Sequence, residues 1–432
     1  MNKTKHLIPA LLLFAGTVLA QDTIPLSGND IANRVRQGNL SVQTANQATQ
    51  SARADYRQSA QVFLPTLNAS ITAITTTNPL MAFGSKLNQE ILTASDFNPA
   101  LLNNPNKTQN VATKVELLQP IVNVDGWYAR AAAKSKMEAY QLQGERTVEH
   151  LVFEAEKAYL QLELAYKAVK VLETADATTS ANLSLINRYF EQGMVQKADV
   201  LNVTIRQQEV RNQLATARSN VRNASAYLAF LMGEDQNTVY KPADVLNPAP
   251  ASALSIPETR KDLAALDKTT QAYTKMYQSG KMAFLPRFNA FANYELFDQN
   301  LPGMRANGYT VGAQLSWSVF DGYKSIGKLE KARAELEKSK AESAQYKAQS
   351  QLEFDKTMRE LTDAQNQVKL SQLAYEQSAE VFRIRQNRFA QGLEKPSDLL
   401  LSETQRAQKE MELAQATTQL EITKRYLQFL TK

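Results

Sequence analysis

The chain has 432 residues, of which 43% are hydrophobic, and its 49 basic and 43 acidic residues give a formal net charge of +6. Because the two signs are interleaved along the chain, they predict a solvated surface and exclude a concentrated nucleic-acid-binding patch. There is no cysteine, and the two histidines are His6 and His150. The usual zinc sites and nucleophile–base pairs therefore lack their residues, and we expect no disulfide, catalytic site, metal or cofactor.

The first twenty residues have the three parts of a secretory signal. Lys3 and Lys5 precede an apolar segment at residues 7–19, and small residues end it at Ala20. Residues 1–20 are therefore a predicted signal peptide, and the exported protein is expected to start at Gln21. No later apolar run is long enough to cross a bilayer as a helix.

The rest of the chain has the pattern of two copies of one unit. Each copy runs helix, Leu-Pro, strand, loop, strand, Asp-Gly, very long helix, glycine turn and shorter helix. The predicted first repeat is residues 21–232 and the second is residues 257–432. Between them, residues 233–256 contain several prolines and little periodicity, which indicates an irregular linker.

The first very long helix has the spacing of a coiled coil. Its apolar residues recur at intervals of four and three, which predicts packing against a partner helix; they are Leu151, Ala155, Ala158, Leu162, Ala165, Val169 and Leu172. A second seam on an adjacent stripe (Val152, Tyr159, Tyr166) lets the helix contact a partner on each side. The two long helices would be about 95 and 100 Å long at 1.5 Å per residue. The helices before each Leu-Pro have the size needed to extend the shorter helices end to end.

The strand pattern is clearest at residues 309–320, where apolar and polar residues alternate strictly. The apolar set is Tyr309, Val311, Ala313, Leu315, Trp317 and Val319. Such alternation is typical of a transmembrane β-strand, although a half-buried strand in a soluble sheet alternates too. The export signal favours the membrane interpretation, in which Lys114 and Glu116 of another strand would face a watery lumen.

Four strands per chain cannot close a barrel by themselves. Open edges do not survive in lipid, and the smallest membrane barrels have about eight strands. A dimer would supply eight strands and a trimer twelve, and the strand pattern leaves both open. The loops at residues 78–109 and 298–308 would face the outside.

The two glycine turns, residues 188–201 and residues 388–400, share a basic residue, an aromatic residue and Gln-Gly in that order, then five residues, then Asp. Gly193 and Gly392 suit the left-handed end of a helix. Asp199 and Asp398 fall near the start of the next helix, which favours negative charge. Each turn is thus explained as a helix stop and restart. Both are expected at the end of the coil opposite the strands, where they would form one rim.

With these features the chain resembles the TolC family of outer-membrane efflux channels. The duplicated order of elements, the two Leu-Pro motifs, Phe320-Asp321-Gly322, Arg260-Lys261-Asp262-Leu263 and the glycine turns carry the resemblance. It implies a mainly α fold with a small β part. In that fold a trimeric transmembrane β-barrel, with four strands per chain, is continued by a long periplasmic α-helical coiled-coil barrel. The implied partners are two further copies, a periplasmic adaptor (membrane fusion) protein, an inner-membrane transporter and outer-membrane lipid, with no nucleic acid.

The resemblance also implies roles for the turns and for one strand. The tips of the turns would close the periplasmic entrance and dock the adaptor through Gly193, Met194, Gly392 and Leu393. Tyr309, Val311, Leu315, Trp317 and Val319 would face lipid.

Two acids would line the entrance constriction, Asp199 and Asp398. Asp398 matches a family position that forms an acidic ring at the mouth. Familiar members place a second acid where this chain has Leu401, and a tyrosine where it has Phe389.

The implied function is a passive exit duct of a tripartite efflux or type I secretion system. A duct with a polar lumen carries no cargo signature, because the transporter would set selectivity. The alternative is an exported periplasmic coiled-coil scaffold without channel activity, whose strands form a small soluble sheet. A stand-alone diffusion porin would not need the long helices. None of these is an enzyme.

Overall fold

A computed structural model describes residues 23–244, 246, 255–302 and 304–432. The predicted signal peptide and much of the predicted linker lie outside the described residues. The helices are α1 (Ile31–Gly38), α2 (Leu40–Gln58), α3 (Pro79–Asn88), α4 (Pro99–Asn103), α5 (Val124–Glu191), α6 (Lys197–Met232), α7 (Lys261–Met282), α8 (Lys324–Ala390) and α9 (Pro396–Thr431). The strands are β1 (Ile24–Leu26), β2 (Thr66–Thr76), β3 (Thr108–Val122), β4 (Tyr240–Pro242), β5 (Arg287–Asp298) and β6 (Ala306–Ser316). Among the described residues, no helix combines the length and apolarity that a membrane-spanning helix requires.

The two very long helices are present as predicted, α5 with 68 residues and α8 with 67. The heptad seam of α5 is also confirmed. Ala155, Ala158 and Leu162 of that seam are buried in one hydrophobic core, together with Leu228 of α6. The apolar residues at this spacing on α5 therefore form its interface with α6 and the other segments of the core.

The chain forms two compact units, each built from separate stretches of sequence. One gathers the described parts of residues 1–42, 148–256 and 353–432, and the other gathers residues 43–147 and 257–352. Each unit thus takes segments from both sequence repeats. The repeat boundaries remain a prediction from the sequence.

The first unit contains a small parallel sheet that the sequence pattern did not predict. Strand β1 pairs with β4 in register from Ile24 opposite Tyr240. The Tyr159 hydroxyl donates to the backbone carbonyl oxygens of Asp244 (2.6 Å) and Leu26 (3.2 Å). Part of the predicted irregular linker is therefore ordered against α5.

The first unit also contains the junction between α1, the start of α2 and the end of α6. Asn39 separates α1 from α2, and its side-chain oxygen accepts from the Ser41 amide at 2.7 Å, which caps α2. Its side-chain amide donates to the Leu231 carbonyl oxygen at the end of α6, at 2.8 Å. The start of α2 is therefore held at the end of α6. The expected end-to-end extension of the shorter helix remains a prediction from the sequence.

The second unit contains an antiparallel sheet in the order β2-β3-β5-β6. The four predicted strands are present, but β6 ends at Ser316, so Trp317 and Val319 lie beyond the strand in which they were placed. The loop at residues 78–109 also differs from the expected irregular turn, because it contains α3 and α4. Each of these helices begins with an asparagine cap followed by proline, at Asn78 and Asn98.

Candidate functional site

The sheet separates polar from apolar side chains on its two faces. The register places Lys114 opposite Ser70 on one side and Glu295 on the other, all on one face. The Lys114 ammonium lies 3.4 Å from the Glu116 carboxylate and 3.9 Å from that of Glu295. This face therefore carries charged and polar groups, as predicted for a lumen.

The opposite face is mainly apolar, and β6 exposes large side chains on it. Tyr309, Val311 and Leu315 of β6 are 67–80% exposed. Trp317 and Val319, just beyond the strand, are also exposed, and the Trp317 indole donates to the Phe284 carbonyl oxygen at 3.0 Å. All five predicted lipid contacts are thus apolar or aromatic side chains with exposures above 60%.

The sheet has two open edges. Within the described part of the chain, strands β2 and β6 each have one neighbour, and each has 11 residues. A long unpaired edge is a template for pairing with another chain.

The first glycine turn ends α5 with a left-handed residue. Gly193 has φ +75°, and its amide donates to the Phe190 carbonyl oxygen at 2.9 Å. The Met194 amide donates to the Tyr189 carbonyl oxygen at 2.8 Å. This pair of bonds satisfies carbonyl groups at the helix end, which is the role of glycine in a Schellman motif.

The second glycine turn repeats that geometry. Gly392 has φ +73° and bonds to the Phe389 carbonyl oxygen, while Leu393 bonds to that of Arg388. No heavy atom lies within 4 Å of the position a Cβ would take on either glycine. The left-handed backbone conformation alone therefore favours glycine at both positions. The next residue in each turn, Met194 or Leu393, is more than 60% exposed.

The two predicted constriction acids have different local contacts. Asp199 accepts from the Gln196 amide at 3.0 Å and so caps the start of α6. The Asp398 carboxylate is half exposed and lies 4.0 Å from the Arg385 guanidinium. Arg385 also lies 3.9 Å from the Glu394 carboxylate. Asp199 is thus engaged in a helix cap, whereas the Asp398 carboxylate keeps much of its surface exposed.

A shared core brings the two glycine turns together. Its buried members come from both hairpins and are Ile186, Val200, Val203, Phe382, Phe389 and Leu399. Phe389 also packs edge-on against Tyr189 at 5.8 Å between ring centroids. Asp199 and Asp398 each precede a member of this core, so both acids flank it.

A buried acid near the turns was not predicted. Glu403 of α9 is 2% exposed and accepts from the Thr179 hydroxyl at 3.0 Å and the Asn182 amide at 3.5 Å. Burial raises the pKa of Glu403, against the opposing effect of Arg206 and Arg406. The sequence signal for the burial of Glu403 was its four-residue spacing from Leu399. That spacing places both residues on one face of α9, and Leu399 is buried.

Comparison with known proteins identifies the family. The chain matches the outer membrane efflux protein family over residues 31–234 and 255–431. It belongs to that family. No significant match is found among curated protein sequences.

Solved structures share the fold of this efflux protein. A membrane protein from Pseudomonas aeruginosa is 16% identical with a TM-score of 0.81, covering 94% of this chain and 93% of its own. The VceC outer membrane protein of Vibrio cholerae is 15% identical with a TM-score of 0.80, covering 94% and 96%. The CmeC outer membrane channel of Campylobacter jejuni is 14% identical with a TM-score of 0.79, covering 93% and 85%.

Family membership confirms the main predictions. The chain is an outer-membrane channel protein of an efflux system, with a large periplasmic helical part, and it is not an enzyme. The mainly α fold with a small β part is that of these channels. The alternative, a scaffold without channel activity, is not supported.

Proposed function

We propose that three copies of this chain close a twelve-stranded barrel and form a passive exit duct. The observation that carries the proposal is a four-stranded sheet with one polar face, one apolar face and two open edges. In an antiparallel sheet of four strands the two edge strands run in opposite directions. Strand β6 of one copy can therefore pair antiparallel with β2 of the next, which removes every edge from the lipid.

In this barrel the apolar face contacts outer-membrane lipid through Tyr309, Val311, Leu315, Trp317 and Val319. Aromatic side chains near strand ends suit the membrane–water interface. The polar face, with Lys114 and Glu116, lines the duct.

The glycine turns form the periplasmic rim of the duct. Gly193, Met194, Gly392 and Leu393 dock a periplasmic adaptor protein, which is consistent with the exposure of Met194 and Leu393 at the turns. Asp199 and Asp398 lie at the entrance constriction. An inner-membrane transporter, joined through the adaptor, delivers cargo for efflux or type I secretion and sets its selectivity.

Membrane fractionation and electrophysiology test the duct. We expect heat-modifiable trimers in outer-membrane fractions and channel conductance in planar bilayers. Purified protein that stays soluble and monomeric without detergent, and inserts into no bilayer, would contradict the proposal. That outcome would instead support the coiled-coil scaffold.

A further inference from the structure

Helix α3 is anchored to the polar face of the sheet by one buried side chain. Gln89, at the end of α3, is completely buried. Its side-chain amide donates to the Asn110 side-chain oxygen at 2.8 Å and to the carbonyl oxygens of Gln109 (2.9 Å) and Asp298 (3.2 Å). Asn110 lies four residues before Lys114 on β3, so both side chains are on the same face.

The contacts of α3 continue across that face. The helix contacts β3 and β6, and β5 lies between those two strands in the sheet. On the helix, Ala82 and Ser85 are buried together with Gln89. On the strands, Thr108 and Ala306 are buried at the same end of the sheet. Helix α3 therefore covers the polar face where β2 leads into the loop.

The other side of α3 carries an apolar stripe. Leu80, Gly84 and Leu87 are spaced four and three residues apart and so lie on the side opposite Ala82 and Ser85. Leu80 is 81% exposed and Leu87 is 56% exposed. No heavy atom lies within 4 Å of the position a Cβ would take on Gly84.

An ion pair fixes this loop helix from the side. The Lys86 ammonium lies 2.7 Å from the Asp96 carboxylate. Asp96 also accepts from the Thr93 amide at 2.8 Å. These hydrogen bonds, from Lys86 first and then Thr93, lower the pKa of Asp96 to about 2. The loop between β2 and β3 is therefore a folded structure with a defined position.

We propose that α3 forms a constriction at the outer end of the duct, with Leu80 and Leu87 as specificity-determining residues that face the duct axis. The proposal rests on the proposed function, because the polar face lines a duct only in a closed barrel. Each copy then places an apolar stripe in a mouth whose wall is polar. An apolar constriction resists hydrated ions by dewetting. It admits apolar and amphiphilic solutes more readily.

The absence of native cysteine provides a direct test. Leu87→Cys is the sole thiol of its variant, and a bulky hydrophilic thiol reagent is added to the extracellular side of a planar bilayer. We expect the potassium chloride conductance to fall at least about twofold on modification, because the reagent occupies the narrowed mouth. The matched control is Leu301→Cys. Leu301 is 68% exposed and precedes Pro302, whose carbonyl oxygen accepts from the Thr113 hydroxyl. Thr113 lies on the apolar face, which is outside the duct, so modification of Leu301→Cys should leave the conductance unchanged.

A second variant should change the conductance in the opposite direction. Leu80→Ser/Leu87→Ser keeps the Gln89 anchor and replaces the apolar stripe, so the conductance is expected to rise. Conductance that is unchanged both by complete modification of Leu87→Cys and by the serine substitutions would overturn the constriction while leaving the duct intact. A wild-type protein that conducts no current would contradict the proposed function itself, and the constriction with it.

Discussion

Gly38 and Gly233 lie backbone to backbone where α6 meets the break between α1 and α2. A Cβ on Gly38 would lie 2.1 Å from the Met232 carbonyl oxygen, and one on Gly233 would lie 2.1 Å from the Gly38 carbonyl oxygen. Gly233 also has φ +71°. The close approach of these two backbone segments therefore favours glycine at both positions.

Replacing Gly38 with alanine should destabilise this junction. We expect the Gly38→Ala variant to lose about 1–3 kcal/mol of unfolding free energy, because the methyl group forces the helix ends apart. Denaturant unfolding of the detergent-solubilised protein measures the change. Gly327→Ala on α8 is the matched control, since its added methyl group meets open space, and it should be neutral or slightly stabilising. Equal losses in both variants would show that the close contact is unimportant.

The left-handed conformation at residues 193 and 392 of the two turns should be required for export. In Gly193→Val and Gly392→Val the branched side chain meets backbone strain of about 1–3 kcal/mol, although space is available. We expect trimers to remain in the membrane while export fails, measured as increased sensitivity of cells to toxic compounds. Asparagine tolerates the left-handed conformation, so Gly193→Asn and Gly392→Asn should retain export. Loss of trimers in the valine variants would show that the turns matter chiefly for folding.

Asp398 should bind multivalent cations at the entrance. We expect Asp398→Ala to weaken block of conductance by a trivalent cation about tenfold, which corresponds to about 1.4 kcal/mol. The half-exposed carboxylate has one partner at 4.0 Å, Arg385, so its charge is only partly balanced. Glu376→Ala, which removes an exposed acid elsewhere on α8, is the control. Equal block in wild type and Asp398→Ala would exclude an acidic ring.

Glu403 should make stability depend on pH. Its pKa is raised by burial above the ordinary value of 4.5. Its contribution to the unfolding free energy is therefore fully present below pH 4.5 and is lost as pH rises through the raised value. Glu403→Gln should flatten this part of the pH–stability curve and raise stability at neutral pH.

Glu412, on the same helix, provides a control whose contribution to stability depends on pH in the opposite direction. The Lys409 side chain donates to Glu412 and lowers its pKa, so its contribution is lost as pH falls. Glu412→Gln should therefore reduce the loss of stability in acid. Parallel curves for the wild type and Glu403→Gln would contradict the role of the buried acid.

Features that repeat along the chain could be predicted from the sequence, whereas those created by distant contacts could not. The heptad seam through Leu162 and the left-handed Gly193 and Gly392 follow from local spacing and backbone preference. The alternation of β6 continues past Ser316 to Val319, and periodicity alone does not show where the hydrogen-bonded ladder ends. The Asn-Pro signals at residues 78–79 and 98–99 could have predicted α3 and α4.

Two other features depend on tertiary burial. Gln89 and Glu403 are polar residues of a kind usually found at the surface. Each is buried because segments distant in sequence pack over it, which a single sequence does not encode locally. The three-residue strands β1 and β4 likewise form by pairing with each other across more than two hundred residues of sequence.

The discontinuous make-up of the two compact units has a consequence for biogenesis. The first unit is completed only by residues 353–432, and the second needs residues 257–352. A chain emerging into the periplasm therefore leaves the seam of α5 without part of its cover until its last segment has crossed the inner membrane. Such transiently exposed apolar surface is prone to aggregation. We therefore expect the folding of this channel to depend on periplasmic chaperones that hold the emerging chain unfolded until it is complete.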